Sequence, residues 1–192
     1  MYFNMAEVAD ENSMRYFLLP LRELKAQGIP FSGAMQNDVN GISWCMADYL
    51  PEIGVNYLWM GENTEHALAP FSIPTVFKWE SPSGRSLVAF RSEHYHKGNR
   101  LGILDGIDVF ERQLLDYLES LEDAGYPFSE IGLQYVGVFT DNAPPSYKIC
   151  ALIKEWNETH EWPKLRSATA HEFIDHIALE HSDELPVCRA AY

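Results

Sequence analysis

Apolar residues recur along this chain at two spacings, and the switches between them mark out alternating helices and strands. Met14, Phe17, Leu18, Leu21 and Leu24 return at helical spacing within residues 13–27. Pro20 should kink or split that helix, and Gly28 should stop it. The apolar run Phe31–Gln36 predicts a strand, Ile42–Ile53 a helix, and Val55–Met60 a second strand. Residues 62–73 read as irregular, with Pro70 and Pro74 as breaks. Thr75–Trp79 and Arg85–Phe90 flank Ser81-Pro82-Ser83-Gly84, which is a hairpin signal. Arg91–Leu104 reads as a long polar loop.

Beyond it, Asp108 and Glu111 have capping-box-like spacing ahead of Leu114, Leu115, Leu118 and Leu121. Gly132–Phe139 predicts a third core strand, running into Thr140-Asp141-Asn142-Ala143-Pro144-Pro145. Ser146–Thr159 predicts a helix and Lys164–Ala168 a short strand. Thr169 and Glu172 form a capping box for a helix from Ala170 to His181, and Leu185–Cys188 predicts a last strand. Strands alternating with helices predict an α/β fold with a mostly parallel sheet and β/α crossovers, as a barrel or an open layered form, with the hairpin as an insertion. No repeat or linker divides the 192 residues, so residues 1–192 read as a single domain.

Composition narrows the function classes. The formal net charge of −14 argues against sequence-independent nucleic-acid binding and against anionic membrane surfaces. No apolar run approaches the roughly 20 residues that a membrane helix needs. Residues 1–10 show neither a basic segment nor an apolar core of a signal peptide. Cys45, Cys150 and Cys188 are too scattered for a disulfide framework, and Cys45 and Cys150 are expected to be buried free thiols. These features fit a cytoplasmic protein with a neutral ligand.

Candidate chemistry lies at strand ends, where α/β proteins place their ligands. Asp38 follows the first predicted strand and Asp141 the third, so parallel strands would bring both acids to one rim. Two carboxylates across a sugar ring are the minimum apparatus of glycoside hydrolysis. Capping of the following helix is the commoner use of an Asp at such a junction. His94 and His96, two apart, fall on one side of an extended segment. That spacing suits a metal, although a solvent-exposed or substrate-rim pair is the commoner outcome where no third ligand is near in sequence. Of the five tryptophans, most are expected in core or rim packing. His171, His176 and His181 do not share a helix face and read as surface residues.

The stretch GAMQNDVNGISWCMADYLPEIGVNYLWMG resembles the centre of the catalytic domain of glycoside hydrolase family 38, the α-mannosidase family. FKWESPSGRSLVAF, TDNAPPS, WNETHEWPKLRSATAHEFIDHI and ELPVCRAAY resemble the same group in the same order. Asn40 stands where the divergent bacterial members carry Pro in an Asp-Val-Pro-Gly turn. The resemblance implies a partial seven-stranded β/α barrel, a zinc ion and a retaining mechanism. It implies that Asp38 is nucleophile and zinc ligand, with Asp141 near the acid/base position. The family's His-x-Asp zinc pair and a further zinc-binding histidine have no match here. The chain therefore reads as a middle segment of a larger enzyme, inactive alone and with little zinc uptake. An open sheet edge would be covered by the rest of the parent or by a second copy. The rival readings are a metal-dependent polysaccharide deacetylase and a non-catalytic carbohydrate-binding module.

Overall fold

The computed structural model describes residues 10–66, 73–138 and 142–191. The elements in order are α1 (Glu11–Ala26), β1 (Gly33–Asn37), α2 (Met46–Glu52), β2 (Tyr57–Glu62), β3 (Thr75–Glu80), β4 (Ser86–His94), α3 (Lys97–Arg100), α4 (Ile107–Asp123), α5 (Lys148–Thr159), α6 (Ala170–Glu180) and β5 (Val187–Cys188). The sheet order is β1-β2-β4-β3-β5. β1, β2 and β4 run parallel, β3 is antiparallel to β4, and β5 runs parallel to β3. The mostly parallel α/β sheet and the inserted hairpin are as expected. Among the described residues the sheet is open, with β1 and β5 as its edges.

Strand side chains alternate between two cores, as a pleat requires. Leu58, Met60, Phe77, Trp79, Leu87 and Ala89 face one side, with Met14 and Leu18 of α1 and Met46, Ala47 and Leu50 of α2. Trp59, Val76 and Phe90 face the other, against Ile174 and Ile177 of α6. Phe110, Leu114, Tyr117 and Leu121 of α4 pack with Ile149, Leu152 and Trp156 of α5 in a third cluster. Covering both faces suits parallel strands, whose side chains have no wet side.

Several boundaries differ from expectation for local physical reasons. α1 is capped by the Asp10 side chain and runs through Pro20 unsplit. Pro20 lies on an exposed stretch of the helix, where water can take the carbonyl that the missing N–H leaves. α2 begins only at Met46, and its N-cap is Cys45 without a side-chain cap bond. Asp38 is therefore not a helix cap. α4 starts after Gly106 at φ 117°, and Asp108 is a first-turn acid, not the cap. Thr169 and Glu172 do form the full capping box of α6.

Residues 132–138 form no strand, because their backbone groups are spent elsewhere. The Gln134 carbonyl accepts from Gly98 N at 2.7 Å, and both backbone groups of Val136 bond the Asn99 amide. Leu165 similarly gives both backbone groups to the Asn157 side chain, so no strand forms at 164–168. The expected loop at 91–104 is instead strand up to His94. Its polar side chains are buried, and several are satisfied across the sheet. Arg91 faces Glu62, and Ser92 Oγ donates to Met60 O at 2.8 Å. Cys150 is exposed on α5, contrary to expectation.

Candidate active site

Because β1, β2 and β4 are parallel, their C-terminal ends share one rim. It carries Asn37 and Asp38, Glu62 and Asn63, and the run His94-Tyr95-His96. Asp38 adopts φ 61°, a left-handed conformation that a non-glycine residue enters at a cost. Its N–H still donates to Gly61 O at 2.9 Å, extending the ladder by one bond before the chain turns away. Asp38 Oδ1 accepts a 2.6 Å bond from Asn63 Nδ2.

The loop after Asp38 is held from two sides, by Gln36 and by Asn63. Gln36 Nε2 donates to Gly41 O at 3.0 Å, folding residues 38–41 back on the strand. Asn40 brackets the Asn63 backbone, its Nδ2 donating to Asn63 O and its Oδ1 accepting from Asn63 N, both at 2.8 Å. This gives the Asn at the turn a structural reason: proline has no side chain that could make either bond. Asn63 Oδ1 in turn accepts from Glu65 N at 3.0 Å. The ends of β1 and β2 are thus locked together through one asparagine pair.

Residues 134–136 lie across the same rim. Gln134 Oε1 accepts from Asn37 Nδ2 at 2.8 Å, and its amide donates to Ser92 Oγ at 3.2 Å. The space here is tight. A Cβ on Gly61 would sit 2.4 Å from Asn37 Oδ1, 2.6 Å from Gln134 Nε2 and 2.7 Å from Tyr95 Cβ. Gly61→Ala is expected to cost about 1–3 kcal/mol by overpacking, read from denaturant melts. A neutral substitution would show that the rim has slack.

His94 and His96 are 3 % and 8 % exposed, so they are not a solvent-exposed pair. Their rings stack at 3.9 Å between centroids. Burial lowers the His94 pKa to about 4, helped by the charges of His96 and Arg100 and opposed by Glu65 and Asp38. His94 is therefore a neutral imidazole near pH 7. Arg100 Nε donates to His96 Nε2 at 3.0 Å, and its Nη2 reaches Glu65 Oε1. Glu62 is buried beside Arg91 at 3.7 Å, and burial raises its pKa more than Arg91 lowers it.

Of the two acids expected on this rim, Asp38 is there, while Asp141 lies outside the described residues. Sequence reasoning missed Glu62, Asn63, Glu65 and Gln134. The strand-end rule that singled out Asp38 applies equally to Glu62, which ends β2, and Asn63, which follows it. Nothing local points to Gln134. His171, His176 and His181 pair with Asp175, Glu130 and Glu184 on the surface side of α6. Trp79 and Trp156 are fully buried, and Trp162 is 69 % exposed.

The family model described as glycosyl hydrolases family 38, N-terminal domain, matches residues 15–191. The chain belongs to glycosyl hydrolase family 38. The structure is similar to that of an α-mannosidase from Enterococcus faecalis V583, at a TM-score of 0.72 and 14% sequence identity. The match covers 96% of this chain and 20% of that protein, so the family 38 segment described here spans about a fifth of its relative. No curated protein sequence matches the chain. No helix among the described residues of this family 38 chain is long and apolar enough to cross a membrane.

Proposed function

We propose that this chain is part of the catalytic domain of a retaining, zinc-dependent glycosidase acting on α-mannosides, with Asp38 as nucleophile. The observation that carries this reading is the placement of Asp38. It is a carboxylate at the C-terminal end of a parallel strand, held at φ 61° and pinned through Oδ1 by Asn63. Backbone held in a sparsely populated region persists where the surroundings over-determine it, and such residues cluster at functional sites. Membership of family 38 supports the reaction class.

In the proposed reaction an Asp38 carboxylate oxygen attacks the anomeric carbon and the bond to the leaving oxygen breaks. A carboxylic acid, for which Asp141 is proposed, gives its proton to that oxygen. Water activated by the same group then cleaves the glycosyl ester and restores Asp38. Asn63 keeps the attacking carboxylate in one orientation, and Asn40 keeps Asn63 in place. Asp38 fits as one zinc ligand by chemistry and position, and the family resemblance implies that the others lie outside this chain. When bound, zinc would hold sugar hydroxyls and ease ring distortion. The open edge of β1, where Met35 is 53 % exposed, is where the rest of the parent or a second copy would pair. The test is the stereochemistry of the longer parent protein on an aryl α-mannoside, followed by NMR. The α-anomer should appear first. A β-anomer appearing first would rule out the retaining mechanism, and no hydrolysis would rule out the substrate class.

A further inference from the structure

One donor atom each from Glu65, His94 and His96 lies within 4.8 Å of the other two. We propose that these three residues form a binding site for a zinc-class divalent metal ion, built entirely from this chain. Two imidazoles and a carboxylate with a fourth position open is a ligand set of catalytic zinc sites. The set needs neither Asp38 nor any residue upstream, so it stands apart from the sugar chemistry proposed above.

Three observations support it. His94 is 3 % exposed, and its Nε2 has no hydrogen-bond partner among the described residues. A desolvated ring nitrogen without a partner is costly, and a bound ion is one of the few things that removes the cost. The donors also come from well-placed backbone. His94 ends β4, His96 is the N-cap residue of α3, and Glu65 N is bonded to Asn63 two residues earlier. Finally, two of the three donors already surround a cation. The Arg100 guanidinium donates to His96 Nε2 and to Glu65 Oε1. A metal ion would replace one positive charge with another of higher density, releasing Arg100, whose side chain is 39% exposed, to solvent. Zinc at about 2.1 Å from each ligand places donors about 3.4 Å apart, so the set must close by up to about 1.4 Å. The Glu65 side chain is 69% exposed, so its carboxylate can swing toward the two imidazoles to close that distance.

The test is metal uptake by the 192-residue chain itself, read by elemental analysis after gel filtration and by chelator competition. Co²⁺ serves as a spectroscopic probe of coordination. One Zn²⁺ per chain is expected, in place of the little uptake that the family's unmatched ligands imply, and the Co²⁺ form should show the visible absorption of a tetrahedral site. His96→Gln and Glu65→Gln should each weaken binding by at least about 100-fold, more than outer-shell changes do. Arg100→Gln, a partly exposed change that spares the core, should tighten binding because it removes the competing cation. Asp38→Asn removes a neighbouring negative charge but none of the three ligands, so it should weaken binding far less than His96→Gln does. Uptake well below one ion per chain would overturn the proposal. So would binding lost in Asp38→Asn but kept in His96→Gln, or Arg100→Gln that fails to tighten it. Circular dichroism on each variant separates a lost ligand from a lost fold.

Discussion

Asp38→Asn in the longer parent protein should abolish turnover of an aryl α-mannoside, by at least about 10⁴-fold, the scale seen when a nucleophile is removed. The substitution is close to isosteric, so the rim should survive it. The amide oxygen can still accept the 2.6 Å bond from Asn63 Nδ2. The backbone can still hold φ 61°, because Asn is among the residues that tolerate the left-handed region. What the amide cannot do is form the glycosyl ester. Unfolding measured on the same variant should therefore differ little from the parent, by less than about 1 kcal/mol. Near-normal turnover would sink the nucleophile role. A large loss of stability together with activity would show that Asp38 matters to the turn and not to the chemistry.

How far this site could be read from sequence depends on where each residue finds its partner. Asp38 was legible because a strand, an acid and a glycine-containing turn lie within a few residues of each other. The capping box at Thr169 and Glu172 was legible for the same reason, being closed within one helical turn. The end of β4 was not. Arg91, Ser92 and His94 look like loop residues until their partners Glu62 and Met60 appear, some thirty residues earlier. Gln134 is the extreme case, since it joins Asn37 across nearly a hundred residues and leaves no local trace. The strand expected at Gly132–Phe139 is absent over its described residues, 132–138, for a related reason. A run of apolar, β-branched and aromatic residues suits a strand, but Gly132 is wedged against Trp59, Phe90 and Phe173, and Gln134 O goes to Gly98. Periodicity reports which face is buried. It does not report which neighbour takes the backbone bonds, and that decides whether a segment joins the sheet.

Arg91→Met should destabilise the chain by about 3–5 kcal/mol at neutral pH, because it leaves Glu62 as an unpaired buried charge. Both side chains are nearly inaccessible, at 3% for Arg91 and 7% for Glu62, and their charged atoms lie 3.7 Å apart. That spacing is an ion pair without a hydrogen bond, so the loss should fall toward the lower end of the range. Methionine is unbranched and fills much of the same volume, so the change tests charge more than packing. The guanidinium also donates to Ile73 O, a bond that methionine cannot replace. The pH dependence separates the two contributions. Burial raises the Glu62 pKa above its ordinary 4.5 despite Arg91, so the folded chain holds that proton to higher pH than the unfolded one. The stability linked to Glu62 is complete below about 4.5 and declines as pH rises through the folded value. Removing Arg91 pushes the folded value higher still, so the variant's deficit should be small near pH 4.5 and grow toward pH 7.5. Denaturant melts of both proteins at the two pH values measure this difference, and titrations common to both cancel. Adding Glu62→Gln to Arg91→Met should recover most of the loss at pH 7.5, since no charge is then stranded. An equal deficit at both pH values, with no recovery in the double variant, would assign the role of Arg91 to the Ile73 bond alone. Arg91 lies three residues before His94 on β4, and Glu62 ends β2 opposite His94 in register, so the stranded charge would sit at the C-terminal ends of the two central parallel strands.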